Sequence, residues 1–217
     1  MKTLNVHSIF TSIDGEVSAF GQGRLSTFIR LAGCYLSCTY CDSPTARDSK
    51  NGITMSIDSI MEKIKNRKVN KVTITGGEPL LQDNVFELTS RLYQEEIDVS
   101  IETNGSIVPF GNSVGSFIVD YKLPSSDMEH HMIMDAFKSL RKCDFIKFVI
   151  KDNFDYQVAV DFANIIRLSN KLVRFAFSPL RGSRFASNIQ LLINDLSTIG
   201  FGDAYINVQL HKFLNLE

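Results

Sequence analysis

Several features that mark other protein classes are missing from this sequence of 217 residues. No apolar run approaches the ~20 residues that a membrane-spanning helix needs. The formal net charge is -1, so no global basic field would attract nucleic acid. The N-terminus carries a lone lysine and no apolar segment, so we expect no signal peptide and a cytoplasmic location. We therefore expect neither a membrane partner nor a nucleic-acid partner.

Linkers, low-complexity tracts and internal repeats are also missing, and the hydrophobic content of 44% is ordinary for a globular domain. Strand patterns are predicted at 4–13, 26–31, 71–75, 99–102, 117–121, 145–151, 172–177 and 204–210. Helical patterns are predicted at 56–68, 83–94, 131–141, 154–168 and 186–199, and a long loop at 32–55. This alternation predicts an α/β fold with a mainly parallel sheet. A full eight-stranded barrel typically needs ~250 residues, so we predict a single domain over 1–217 built as a partial, open (β/α) barrel.

Cysteines are few, but three of the four, Cys34, Cys38 and Cys41, follow the spacing C-x3-C-x2-C. In the cytoplasm, cysteines bind metals or take part in catalysis more often than they form disulfides. Three close thiolates can hold three irons of a cubane cluster and leave the fourth iron open to a ligand that is not protein. The alternative is a zinc knuckle with a histidine or Asp42 as its fourth ligand. Cys143 is expected to be a small buried apolar residue.

The cysteine motif, with an aromatic residue before its last cysteine, resembles the signature of the radical S-adenosylmethionine (SAM) enzymes. The resemblance implies that Cys34, Cys38 and Cys41 bind a [4Fe-4S] cluster whose open iron is chelated by SAM. One electron from the cluster then cleaves SAM to methionine and a 5′-deoxyadenosyl radical. Tyr40 is expected near the adenine.

A glycine pair after a predicted strand resembles the GGEP motif of the same superfamily. Glycines at such a position let the backbone approach a ligand closely, although a tight turn between strand and helix would also use them. The resemblance implies cofactor contacts by Gly76, Gly77 and Glu78. It also implies SAM contacts by Lys122 and Ser125, although many relatives have Ser-Pro-Lys in this region.

Three further stretches, Ser8–Glu16, Phe28–Cys34 and Gln209–Lys212, resemble 7-carboxy-7-deazaguanine synthase. That family converts 6-carboxy-5,6,7,8-tetrahydropterin into 7-carboxy-7-deazaguanine with loss of ammonia, assisted by Mg²⁺. The resemblance therefore implies a small pterin substrate. It also implies a reducing electron donor such as flavodoxin and a homodimer.

The same resemblance assigns roles to individual residues. Arg30 is expected to pair with the substrate carboxylate through its guanidinium fork and, with Glu16, to be catalytic. Ser43 stands where the family has a threonine that binds Mg²⁺, and a serine oxygen is an equally hard ligand. Further substrate contacts are expected from Ile13, Asp14, Gly15, Thr75 and His211. The family usually has glutamine at position 14, and an ionised aspartate cannot donate the hydrogen bonds that glutamine can.

A second enzyme class shares part of this pattern. Radical SAM activases, which place a glycyl radical on a partner protein, also carry the cysteine motif and GGEP. An activase needs an exposed peptide groove rather than a small polar pocket, so segment 13–16, Arg30 and Ser43 favour the pterin enzyme. The pair His130-His131 is expected to lie at the surface.

Overall fold

The computed structural model describes residues 2–109 and 114–216. Its strands are β1 (Thr3–Ile13), β2 (Leu25–Leu31), β3 (Ile53–Ser56), β4 (Lys71–Gly76), β5 (Asp98–Thr103), β6 (Ser116–Tyr121), β7 (Phe145–Ile150), β8 (Arg174–Pro179) and β9 (Tyr205–Ile206). Its α-helices are α1 (Ile57–Lys65), α2 (Val85–Gln94), α3 (Met134–Lys138), α4 (Asn153–Ser169), α5 (Arg184–Ser187), α6 (Ile189–Thr198) and α7 (Leu210–Phe213). Single 3-10 turns occur at Pro44–Arg47, Ser49–Asn51, Pro79–Leu81, Pro124–Ser126 and Glu129–His131.

One sheet joins all these strands in the order β3-β1-β2-β4-β5-β6-β7-β8-β9. Strand β1 runs antiparallel to both β2 and β3, and the neighbours from β2 to β9 run parallel to one another. Within the described ranges, β3 and β9 end the sheet and do not pair with each other. The prediction of a partial, open barrel with a mainly parallel sheet is therefore confirmed.

Burial explains why these segments form a covered parallel sheet. Every residue of β7 is buried, as expected for a strand with helices on one face and packed side chains on the other. The buried residues of α1 recur at helical spacing, at Ile57, Ile60, Met61 and Ile64. One hydrophobic cluster extends from Leu4 to Phe201. Among the residues the structure describes, no helix is long and apolar enough to cross a membrane.

Four predicted segments differ from the structure. The predicted loop at 32–55 overlaps β3, a short edge strand that pairs with β1 and whose exposed and half-buried residues show no alternation. The helix predicted at 131–141 is limited to α3, because the 3-10 turn at Glu129–His131 occupies its start. The helix predicted at 186–199 is divided into α5 and α6 at Asn188, whose φ of -143° is not helical. The strand predicted at 204–210 stops at Ile206 and is followed by α7.

Candidate active site

A cavity of about 350 Å³ lies at the carboxyl ends of the parallel strands. Parallel α/β sheets carry their ligand sites at this edge, because the loops that follow the strands converge there. The walls come from the cysteine loop, the glycine turn after β4, the ends of β5 to β7 and the C-terminal segment. Residues far apart in the sequence therefore line one cavity.

The cysteine loop forms one wall, and Cys34, Cys38 and Cys41 all line the cavity as free thiols. The loop is closed at its base, where the N–H groups of Gly33 and Cys34 donate to carbonyls of the Pro44–Arg47 turn at 2.9 and 3.0 Å. Burial raises the pKa of the Cys34 and Cys38 thiols. Across 2–109 and 114–216, no group of three or more His, Cys, Asp or Glu side chains is spaced to hold a single metal ion.

The glycine turn after β4 packs directly on the cysteine loop. Gly76 has a φ of +133°, and a Cβ on it would lie 2.2 Å from the Leu31 carbonyl oxygen. A Cβ on Gly77 would lie 2.1 Å from the Gly33 carbonyl oxygen. The N–H groups of Gly77 and Glu78 donate to those same two carbonyls at 2.8 Å. Glycine is required at both positions, so backbone rather than side chain faces the cavity here.

Glu78, the third residue assigned to the cofactor, is fully buried behind this turn and lies outside the cavity lining. Its carboxylate accepts from the Leu80 N–H at 2.9 Å, the Thr103 hydroxyl at 2.7 Å and the Asn104 N–H at 2.7 Å. Burial raises the pKa of Glu78, and these hydrogen bonds lower it. The carboxylate thus joins the β4 turn to the end of β5.

The residues predicted near SAM are divided between the wall and the layer behind it. Tyr40 lines the cavity, and within the described part of the chain its buried Oη has no hydrogen-bond partner. Such an orphaned polar atom fits a site whose ligand supplies the missing partner. Lys122 also lines the cavity and pairs with Asp120 at 2.8 Å. Ser125 lies outside the lining, where Asp155 accepts hydrogen bonds from both its hydroxyl and its N–H. As SAM contacts, all three remain predictions.

Four charged side chains form the polar end of the cavity. Lys147 Nζ lies 3.1 Å from Glu16 Oε2 and 3.0 Å from Asp120 Oδ1. Burial lowers the pKa of Lys147, but the two carboxylates hold it well above its ordinary value. Glu102 accepts a hydrogen bond from the Thr75 hydroxyl at 2.7 Å. Burial, followed by repulsion from Glu16, raises the pKa of Glu102 to about 7.

Replacing Glu102 with glutamine is expected to stabilise the protein by about 3–4 kcal/mol at pH 8 and hardly at all near pH 4. An unfolded glutamate titrates near ~4.3, whereas Glu102 in the fold titrates at about 7. The folded state therefore binds the proton more tightly, and its stability falls as pH rises between these values. Glutamine removes that loss. Urea unfolding at both pH values measures the effect, and an equal change at both would contradict it.

Arg30 and Ser43 flank the cysteines and both line the cavity. Arg30 is half-buried on β2, in register with Thr75 on β4, and its guanidinium lies 4.9 Å from the centre of the Phe10 ring. Ser43 precedes the Pro44–Arg47 turn, yet among the described residues its side chain makes no capping hydrogen bond. The Ser43 hydroxyl is thus not used as a helix cap.

The C-terminal segment forms another part of the cavity wall, which Gln209, His211 and Lys212 line. A Cβ on Gly15 would lie 2.3 Å from Nδ1 of His211, so glycine at position 15 permits this close approach. Lys212 pairs with Asp42 at 3.0 Å and thereby joins the segment to the cysteine loop. Burial lowers the pKa of His211, and Glu16 raises it.

Glu16 is held by this segment. Gln209 donates to Glu16 Oε1 at 2.9 Å, and the Asn207 amide donates to Oε2. Asn207 also accepts from the Val17 N–H at 2.9 Å. The carboxylate is therefore fixed in direction at the cavity wall.

Asp14 and Ile13, both assigned to the substrate, lie outside the cavity lining. Asp14 is buried and forms a salt bridge with Lys71, which is itself fully buried on β4. Thr73 also approaches the carboxylate at 3.4 Å. The Asp14 side chain therefore supports the segment from behind, while the next two residues, Gly15 and Glu16, reach the cavity.

Comparisons with known proteins agree with this geometry. Residues 28–109 match the Radical SAM superfamily. A 7-carboxy-7-deazaguanine synthase from Clostridium acetobutylicum is 39% identical over 94% of this chain and 93% of its own length. One from Methanospirillum hungatei is 37% identical over 98% of this chain and 86% of its own length. The chain belongs to the 7-carboxy-7-deazaguanine synthase family.

Solved structures agree on the fold. QueE from Escherichia coli superposes with a TM-score of 0.76 at 20% identity, covering 95% of this chain and 93% of its own. SuiB from Streptococcus suis bound to S-adenosylmethionine gives 0.55 at 16% identity, covering 81% of this chain and 44% of its own. Membership of a radical SAM family means that the chain uses a [4Fe-4S] cluster and SAM. The three free thiols, the glycine turn and the orphaned Tyr40 hydroxyl fit these two groups.

Four residues that line the cavity carry no predicted role: Glu102, Asp120, Lys147 and Gln209. A signal was present for three of them, because charged residues at the carboxyl ends of buried parallel strands are unusual. Gln209 belongs to the Gln209–Lys212 stretch that resembles the family, but nothing local shows that its side chain turns back toward Glu16.

Proposed function

We propose that this chain catalyses the SAM-dependent ring contraction of 6-carboxy-5,6,7,8-tetrahydropterin to 7-carboxy-7-deazaguanine, with loss of ammonia. The observation that supports this most strongly is the shared cavity. Residues chosen for the cluster, for SAM and for the pterin come from separate segments, and most of them line this single space of about 350 Å³. That volume suits a small polar substrate and a cofactor, and it is less suited to the peptide that an activase must bind.

In this proposal, Cys34, Cys38 and Cys41 hold the cluster, and the backbone at Gly76 and Gly77 with Tyr40 and Lys122 holds SAM. When bound, the cluster and SAM would supply the radical that removes a hydrogen atom from the pterin. The supporting features are the free thiols on one wall and the glycine turn packed against them. We further propose that residues 1–217 form one radical SAM domain, which the continuous hydrophobic cluster supports.

Substrate binding is proposed at the polar end. Arg30 pairs with the pterin carboxylate, and Glu16 accepts from the amino-pyrimidine edge. A carboxylate offers about four acceptor sites, and Gln209, Asn207 and Lys147 occupy three of those on Glu16. One site therefore remains for the pterin.

Proton transfer during loss of ammonia is proposed at Glu102. Its pKa of about 7 means that it can both accept and release a proton near neutral pH. Thr75 fixes its orientation through the hydrogen bond from its hydroxyl. His211 and the rest of the C-terminal segment cover the bound substrate and exclude water.

Magnesium is proposed at Ser43. The hydroxyl lines the cavity beside Cys41, and Mg²⁺ commonly takes few protein ligands together with substrate oxygens and waters. The homodimer, a reducing donor such as flavodoxin and the cytoplasmic location remain predictions from the sequence.

Substituting Ser43 with alanine is expected to raise the Mg²⁺ concentration for half-maximal rate by at least about tenfold, since losing even an outer-shell partner costs that much. Threonine at this position keeps the hydroxyl and is expected to behave like the native enzyme. Ser49→Ala, an exposed serine in the same loop, is the matched control. An unchanged Mg²⁺ dependence in Ser43→Ala would exclude the hydroxyl as a ligand.

The function itself is tested by anaerobic cluster reconstitution followed by incubation with SAM, dithionite, Mg²⁺ and the carboxypterin. Mass spectrometry should detect 7-carboxy-7-deazaguanine, and Cys38→Ala should abolish both cluster and product. SAM cleavage without a deazapurine product would refute the substrate while leaving the radical chemistry intact. Turnover by Cys38→Ala would refute both.

A further inference from the structure

Asn104 follows β5 directly and is only 7% exposed. Its side-chain nitrogen Nδ2 lies 3.7 Å from Sγ of Cys34. This separation is a hydrogen-bonding distance for an amide N–H and the larger sulfur atom. Asn104 also lines the cavity, so it contacts the cysteine wall from the neighbouring strand end.

The orientation of the Asn104 amide is determined by Ser106. Both the N–H and the hydroxyl of Ser106 donate to Asn104 Oδ1, the former at 3.0 Å. The amide oxygen is therefore occupied by two donors, and the NH₂ group must face Cys34. A metal-bound thiolate can only accept, so this orientation is the one that makes a favourable contact.

The backbone around Asn104 is equally constrained. Its N–H donates to the buried carboxylate of Glu78 at 2.7 Å. Gly105 has a φ of +76°, and a Cβ there would lie 2.8 Å from the Asp120 carbonyl oxygen. The backbone on both sides of the Asn104 side chain is therefore fixed, by Glu78 and by the tight turn at Gly105.

We propose that Asn104 is a positioning residue that donates an N–H···S hydrogen bond to the cluster thiolate of Cys34 and thereby raises the reduction potential of the cluster. The proposal rests on the ligation by Cys34 proposed above. The reduced cluster carries one more negative charge than the oxidised cluster, so a donor to its sulfur stabilises the reduced form more. Asn104 would accordingly make the cluster easier to reduce.

The test is a potentiometric titration of the reconstituted cluster, followed by its EPR signal without SAM or pterin. Asn104→Ala is expected to raise the ratio of oxidised to reduced cluster at a fixed potential about tenfold, which for one electron corresponds to about 59 mV. Asn104→Asp has nearly the same shape but no donor, and should shift the ratio at least as far. Ser106→Ala removes one of the two orienting donors and should give a smaller shift of the same sign.

Asn84→Ala is the control, because it also deletes a side-chain amide donor, but one that donates to the Thr3 carbonyl and lies outside the cavity lining. Normal iron content with an unchanged potential in all three variants would overturn the role of Asn104 and leave the proposed function standing. If the Asn104 variants fail to fold, the cluster potential of Ser106→Ala tests the proposal instead, and an unchanged potential in that variant would overturn it. Failure of the native chain to form a cluster would overturn the ligation and this inference together.

Discussion

Replacing Lys71 with methionine is expected to lower the free energy of unfolding by about 3–5 kcal/mol, the cost of removing one partner from a buried ion pair. Lys71 and Asp14 are both almost wholly buried, and Lys71 also donates to the Ser18 hydroxyl at 3.1 Å. Without the ammonium, the buried Asp14 carboxylate has no cation beside it in the part of the chain that the structure describes and keeps neutral partners such as the Thr73 hydroxyl. For a chain of this size, the melting temperature should fall by about 10 °C.

The double substitution Asp14→Leu with Lys71→Met distinguishes the effect of an unpaired charge from the effect of altered packing. Removing both charges is often neutral or stabilising, so the double variant should recover most of the loss. Lys65→Met is the exposed control, because the Lys65–Glu95 pair at 2.8 Å is solvated and worth less than about 1 kcal/mol. Equal destabilisation in the single and double variants would contradict the charge argument and point to packing instead.

Replacing Arg30 with methionine is expected to lower kcat/KM by about 10²–10³, since truncating one side of a buried charge pair costs about 2–5 kcal/mol. Most of the loss should be in KM, because the proposed contact is with a carboxylate that does not react. Arg30→Lys should also lose most of the effect, since an ammonium cannot reproduce the bidentate fork. Steady-state rates at varied pterin concentration measure both changes.

The matched control for Arg30 is Arg24→Met. Arg24 lies just before β2 and pairs with Asp98 at 2.8 Å on the exposed side of the molecule, outside the cavity lining. The Arg24→Met variant should therefore leave the KM for the pterin unchanged. If Arg30→Met kept its KM but lost cluster iron, the residue would support the cysteine loop rather than the substrate.

Local sequence patterns were sufficient for the parts of the site that are themselves local. The cysteines, Tyr40 and Ser43 lie within one short loop, and the glycine pair follows directly from the end of β4. A short spacing with a chemical purpose can be recognised without knowing the fold. The parallel strands were found for a related reason, because a strand buried on both faces is a continuous apolar run.

The partners that cross the structure could not be predicted in this way. Lys71 opens a strand and resembles an ordinary exposed lysine in the sequence, whereas the fold buries it against Asp14, 57 residues earlier. Glu78 belongs to a recognised motif, but its side chain supports the end of β5 instead of lining the cavity. Such pairings depend on strand order and register, which no periodicity in a single sequence reports.

The contact between Glu16 and Asn207 has a consequence for how the molecule is made. These side chains are 191 residues apart in the chain, so their hydrogen bond closes nearly the longest loop that the protein contains. Non-local contacts of this kind form late, because chain entropy is lost before they stabilise anything. During synthesis, the cysteine loop can settle against β4 long before Asn207 has emerged from the ribosome. The wall formed by Glu16 and the C-terminal segment is therefore expected to be the last part of the site to form, after the cysteine loop has already settled.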